Sequence, residues 1–125
     1  MARQPNTTTS GRPFDAATIE AVWKKAEELS GHMAFKKDTC SAIIKRDDYG
    51  KTGSFGWEID HIKPVAKEGT DDLSNLLALH WENNRYKGDD YPAWDCKRKF
   101  CPTPIFLPSQ MIKRDPAASS RKAEP

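Results

Sequence analysis

The chain has 125 residues, 37% of them apolar and 30% charged, which suits one domain with a modest core and leaves too little for two. Apolar runs no longer than Leu76-Leu77-Ala78-Leu79 fall far short of the roughly 20 residues of a membrane span. The net charge of +2 hides a division: residues 58–95 hold four basic and nine acidic groups (net −5), and residues 96–125 hold seven and two (net +5). A polyanion would be drawn to the flanks and repelled by the middle unless a cation sat there.

The start, Met1-Ala2-Arg3-Gln4-Pro5-Asn6-Thr7-Thr8-Thr9, has no apolar stretch, so a signal peptide is not expected and a cytoplasmic protein is the default. Residues 1–12 have little to bury and are expected to be flexible. A helix follows. Asp15 suits its N-cap, Ile19, Val22, Trp23, Ala26 and Leu29 recur at helical spacing, and Gly31 supplies the stop. Ser41 to Lys45, with Ile43 and Ile44, is predicted as a short strand, and Asp47 to Gly50 as a turn. Trp57-Glu58-Ile59-Asp60 alternates apolar and acidic residues, the pattern of a half-buried strand. Leu76 to Leu79 is predicted as its partner, and Trp81 to Lys87 as a short helix ended by Gly88. Beyond Asp89, prolines 92, 102, 104 and 108 break any long element. Tyr91, Trp94, Phe100, Ile105, Phe106 and Leu107 are expected to pack back as an irregular arm. Residues 13–112 then form a single domain, followed by a disordered basic tail, 113–125.

Cys40, Cys96 and Cys101 cannot all pair within one chain, nor make a four-thiolate zinc site, so buried reduced thiols are the simpler expectation.

Polar groups gather where the hairpin would meet the short helix. Asp60 and His61 end the first strand, Asn75 opens the second, and Asn84 lies on the helix. Neighbours on a strand point to opposite faces, so Asp60 and His61 must serve different tasks. The oxygens of Asp60 and Asn84 are hard ligands suited to Mg²⁺ or Mn²⁺ with waters retained. A neutral imidazole at His61 can take a proton from water near neutral pH. A divalent ion beside a general base is the minimum set for phosphodiester hydrolysis. His80 sits four residues before Asn84, so one helix face could present both to a metal, but packing or substrate contact is the expected role.

The stretch Trp57-Glu58-Ile59-Asp60-His61-Ile62-Lys63-Pro64, the run Asp72-Leu73-Ser74-Asn75-Leu76, and Asn84-Arg85-Tyr86-Lys87-Gly88 resemble the HNH endonucleases over roughly residues 40–89. The resemblance implies an α+β fold built on a ββα-metal finger, here with an N-terminal amphipathic helix and an irregular C-terminal arm. It implies His61 as general base and Asp60 and Asn84 as ligands of one divalent ion, Mg²⁺ or Mn²⁺, with Zn²⁺ possible in a purified sample. Asn75 would tie the loop and orient the histidine, and Glu58 would support the basic groups. Lys87 would lie near the scissile backbone or the helix end, and Arg85 beside it would bind substrate. Outside the resemblance, the basic run Lys97-Arg98-Lys99 is either a grip on phosphate or a solvated face. Many members hold a structural zinc on two Cys-x-x-Cys pairs; here Cys40 lacks a cysteine partner three positions away, and His80 and Asn83 stand where the second pair would be, so no structural zinc is expected. The function implied is metal-dependent DNA cleavage, on one strand or both. The alternative is a DNA-binding module that kept the finger and lost cleavage, and a nuclease acting mainly on RNA or structured DNA is a third possibility.

Overall fold

A computed structural model describes residues 3–99. Helix α1 spans Ala16–Lys25, and the side chain of Asp15 accepts a hydrogen bond from the Thr18 N–H at its start, as the sequence predicts. It ends six residues before Gly31. Ala26 turns extended, and Glu27–Glu28 forms β1, paired antiparallel with β2 (Phe35–Lys37), which pairs in turn with β3 (Ile43–Lys45). The buried Lys36 ammonium donates to the Trp23 carbonyl at 3.1 Å, answering the helix C-terminus. Sheet pairing thus overrides the helical period that Leu29 would have continued, and Leu29 packs on Ile43 and Phe55 instead.

The finger follows. Strand β4 (Trp57–His61) pairs antiparallel with β5 (Leu76–His80), with Asp60 opposite Leu77 and His61 opposite Leu76. Helix α2 (Trp81–Lys87) leaves the end of β5 directly and stops at Gly88, whose N–H donates to Asn84 O. The α+β class and the ββα order are those expected. Val22, Trp23, Ile44, Trp57, Ile59 and Leu76 form the main core, so α1 lies against the finger and fixes its hairpin. Burial of such side chains is worth about 1.5–3 kcal/mol each.

Two glycines sit where backbone meets backbone. A Cβ at Gly56 would lie 1.8 Å from Lys51 O, and one at Gly69 would lie 1.7 Å from Lys63 O. Only glycine fits either corner without a shift of the chain.

Two expectations need correction, and one alternative falls away. Residues 3–13 are held to the finger: Asn6 Oδ1 accepts the outward N–H of Ile59 at 2.8 Å, and Thr9 donates its N–H and hydroxyl to Asp71. An unpaired strand edge with a free N–H gives this polar segment something to bind. Cys40 and Cys96, expected as free thiols, form a disulfide, because the arm returns and brings their Cα atoms to 5.8 Å across 56 residues. His80, weighed as a metal ligand, has both ring nitrogens engaged. Nδ1 accepts the Glu82 N–H and so caps α2, and Nε2 donates to Ser54 O at 2.8 Å. Burial, first among several influences, holds the His80 ring below its ordinary pKa.

The same corner is built around Asp38. Its carboxylate accepts from the N–H groups of Cys40, Ala42 and His80 and from Asn83 Nδ2. Asn83 Oδ1 in turn accepts the N–H groups of Lys97 and Arg98, which anchors the start of the arm. Further along the arm, Trp94 is half-buried beside the Lys87 ammonium, while Tyr91 is exposed. The expected packing of Phe100, Ile105, Phe106 and Leu107, the thiol of Cys101 and the basic tail 113–125 lie outside the described residues. No helix of the described residues is long and apolar enough to cross a membrane.

Candidate active site

The end of β4, the second half of α2 and the N-terminal segment enclose a cleft of about 610 Å³ that Asp60, His61, Asn84 and Arg85 all line. Residues 3–7 form one wall, a contribution that composition alone did not suggest.

Asp60 is 5% exposed. Its Oδ1 meets the Lys87 ammonium at 3.3 Å, while its buried Oδ2 has no hydrogen-bond partner. Burial pushes the carboxyl up to about 6, against the opposing pull of Lys87. A buried carboxylate oxygen without a donor is costly unless a cation or water answers it. Asn84 donates its Nδ2 to Glu58 Oε1 at 2.7 Å, which leaves the amide oxygen as its acceptor on the cleft. These two oxygens fit a hard divalent ion that keeps several waters. Among the described residues no three His, Cys, Asp or Glu side chains converge on one point.

His61 closes β4. Its Nε2 lies 2.8 Å from Asp71 Oδ1, and the Phe14 ring stands 5.9 Å away. Burial would raise the Asp71 carboxyl, but hydrogen bonds from His61 and Thr9 outweigh it and hold it below the usual carboxylate range. Asp71 lies in the segment between the two strands, and the signal available in the sequence was an acid ten positions after the histidine. Asn75 clamps the loop between them. Its Oδ1 accepts Lys63 N–H at 2.9 Å, and its Nδ2 donates to Lys63 O and Thr70 O.

The basic residues are placed differently from the expectation. Lys87 is 2% exposed, and its ammonium reaches His61 O, Ile62 O and Asp60 rather than solvent. It is a strut under the end of β4, because Lys87 falls four residues after Asn83 on the buried face of α2. Glu58 is buried and takes Arg85 in a two-pronged ion pair besides Asn84. Arg85 is half-exposed, stacks over Trp81 at 5.3 Å and keeps a face on the cleft. Arg98 is paired with Glu82, and Lys97 lies over the Tyr86 ring, so both are tied to α2 rather than extended toward the cleft.

Residues 50–90, the finger with the turn before it, match the family model described as HNH endonuclease. That segment, about a third of the chain, is an HNH domain. No curated protein and no solved structure matches the chain. Within this HNH domain the geometry puts His61 and Asn84 on one cleft, with Asn75 holding the loop between. A nuclease-type domain acting on nucleic acid is what the family match supports.

The position of Asn75 carries an expected result. Asn75→Ala should lower activity by about 10–100-fold, the usual scale for losing a group that orients an active side chain. Metal binding, followed by calorimetry, should be unchanged. Loss of metal binding in that variant would make Asn75 a ligand instead.

Proposed function

We propose that the domain hydrolyses phosphodiester bonds of DNA, with His61 as general base and one divalent ion, Mg²⁺ or Mn²⁺, held by Asp60 and Asn84. The observation that carries this reading is the buried, unpartnered Oδ2 of Asp60, next in the chain to His61 and on the same cleft. His61 removes a proton from water, whose oxygen bonds to phosphorus as the bond to the 3′ oxygen breaks; that oxygen takes a proton from solvent, leaving 5′-phosphate and 3′-hydroxyl ends. When bound, the ion would supply positive charge to the phosphate and the leaving oxygen. Lys87 holds the carbonyls of His61 and Ile62 and one oxygen of Asp60, and so fixes the end of the strand on which both groups sit. Glu58 orients the Asn84 amide and restrains Arg85, the one basic side chain of α2 in place to meet a phosphate.

Incubating supercoiled plasmid with the protein and Mg²⁺, Mn²⁺ or Zn²⁺ is the direct test. Conversion to nicked or linear product, lost with chelator, supports the reading. Binding without cleavage under every metal would leave the alternative of a non-catalytic binding module.

Asp60 also sets an expected pH dependence. A carboxyl raised from 3.8 to about 6 is neutral below that range, so the ligand loses its charge as pH falls through about 6. Metal affinity and metal-supported cleavage should fall there. The stability linkage has the opposite sign: for this group, folding is favoured below 3.8 and loses that contribution as pH rises toward about 6. Asp60→Asn should abolish metal binding at all pH values. Calorimetric affinity that stayed flat across this range in the wild type would remove Asp60 from the ligand set.

A further inference from the structure

The general base is reached by two segments outside the strand that carries it. Asp71 Oδ1 stands 2.8 Å from His61 Nε2, and the carboxylate is itself held by Thr9, whose N–H and hydroxyl reach its oxygens at 3.1, 3.2 and 2.9 Å. Thr9 lies 62 residues from Asp71 in the chain, and its segment is docked by Asn6 on the N–H of Ile59 in β4. The carbonyl of Thr70, next to Asp71, is gripped by Asn75. An aspartate with 37% of its side chain exposed would otherwise rotate freely, and here it is fixed from both sides.

We propose that Asp71, oriented by Thr9, is the positioning residue of His61, so that docking of the N-terminal segment completes the base. This rests on the nuclease reading above. An ionised carboxylate only accepts, so the ring donates from Nε2 and keeps its lone pair on Nδ1. The bond selects one tautomer, stops rotation of the ring, and faces the positive ring with a negative charge once Nδ1 has taken the proton of water.

Asp71→Ala should lower kcat by about 10–100-fold with KM unchanged, the scale of lost orientation. Thr9→Val should lower kcat in the same direction, and Thr9→Ser, which keeps the hydroxyl, should restore it. If Asp71 acts only through His61, then Asp71→Ala added to His61→Ala costs nothing more, measured in single turnover with excess enzyme. A further loss in the double variant, or a wild-type kcat in Asp71→Ala, overturns the proposal and leaves the contact as a staple of the loop. Nitrogen-15 spectra of labelled histidine in mildly alkaline buffer give a second readout that needs no turnover. His61 should be a single tautomer protonated at Nε2 in the wild type and a mixture in Asp71→Ala. A wild-type ring protonated at Nδ1, or already mixed, overturns the proposal even for a protein that cleaves nothing. The expected tautomer in a protein without cleavage would instead count against the nuclease reading alone.

Discussion

His61→Ala is expected to reduce phosphodiester cleavage by about 10²–10⁴-fold while the protein stays folded, the range lost when a general base is removed. In free-energy terms that is about 2.7–5.4 kcal/mol of transition-state stabilisation, at about 1.36 kcal/mol per tenfold. Folding should survive because the ring is not part of the main core; it bonds to Asp71 and stands tilted against the Phe14 ring at 5.9 Å. Metal binding should survive too, since the Asp60 side chain and Asn84 remain. Rates on plasmid, a thermal melt and a metal titration of the same preparation separate these outcomes. Cleavage at the wild-type rate would take His61 out of the mechanism, and a collapsed melt would show that the ring serves the fold.

The largest expected effect on stability lies at Asp38, far from the chemistry. Its carboxylate is 3% exposed and accepts four hydrogen bonds, from Cys40 N, Ala42 N, His80 N and Asn83 Nδ2. Asp38→Ala strands four buried donors, at roughly 1–3 kcal/mol each when unsatisfied, so a loss of about 4 kcal/mol or more is expected. A domain of this size has only about 5–15 kcal/mol in total, so the variant should be largely unfolded at moderate temperature. Asp38→Asn should recover only part of the loss. It keeps one acceptor oxygen, but its amide nitrogen turns donor against donor toward either the loop or the His80 and Asn83 groups. Denaturant melts of the two variants would show this order. A wild-type midpoint in Asp38→Ala would mean that the disulfide and α2 hold the corner without it. As a control, chelator should leave the wild-type melt unmoved, because the bonds that tie this corner are made by protein groups.

The finger was legible because its signals are local. The alternation from Trp57 to Asp60, the apolar run from Leu76, and Gly88 after a short helical stretch each act within a few residues. The candidate cluster was legible from residue type and spacing, and Asp60, His61, Asn75 and Asn84 do gather around one cleft and its loop. What escaped depends on distance in the chain. Glu27 and Glu28 have no strand pattern of their own and pair only because Lys36 and Lys37 arrive beside them. Lys87 reads as a surface base, yet the last turn of α2 aims it under β4. The Thr9–Asp71 contact and the Cys40–Cys96 bond span 62 and 56 residues, and no periodicity announces either.

Gly69 has a bearing on how the family's loop can vary. The carbonyl that a methyl group at this position would strike, Lys63 O at 1.7 Å, is the same oxygen that receives the Asn75 amide at 3.2 Å. One atom is therefore constrained twice, by contact on one side and by a hydrogen bond on the other. A substitution at residue 69 and one at residue 75 should for that reason look alike in a mutational scan, though one side chain is a single hydrogen and the other an amide. In the interior of the same loop Lys67 is exposed and free of such contacts, while Glu68, also exposed, is limited only by its φ of 71°, which disfavours β-branched residues. Tolerance in this loop follows the position of a single oxygen more closely than it follows chemical similarity between residues.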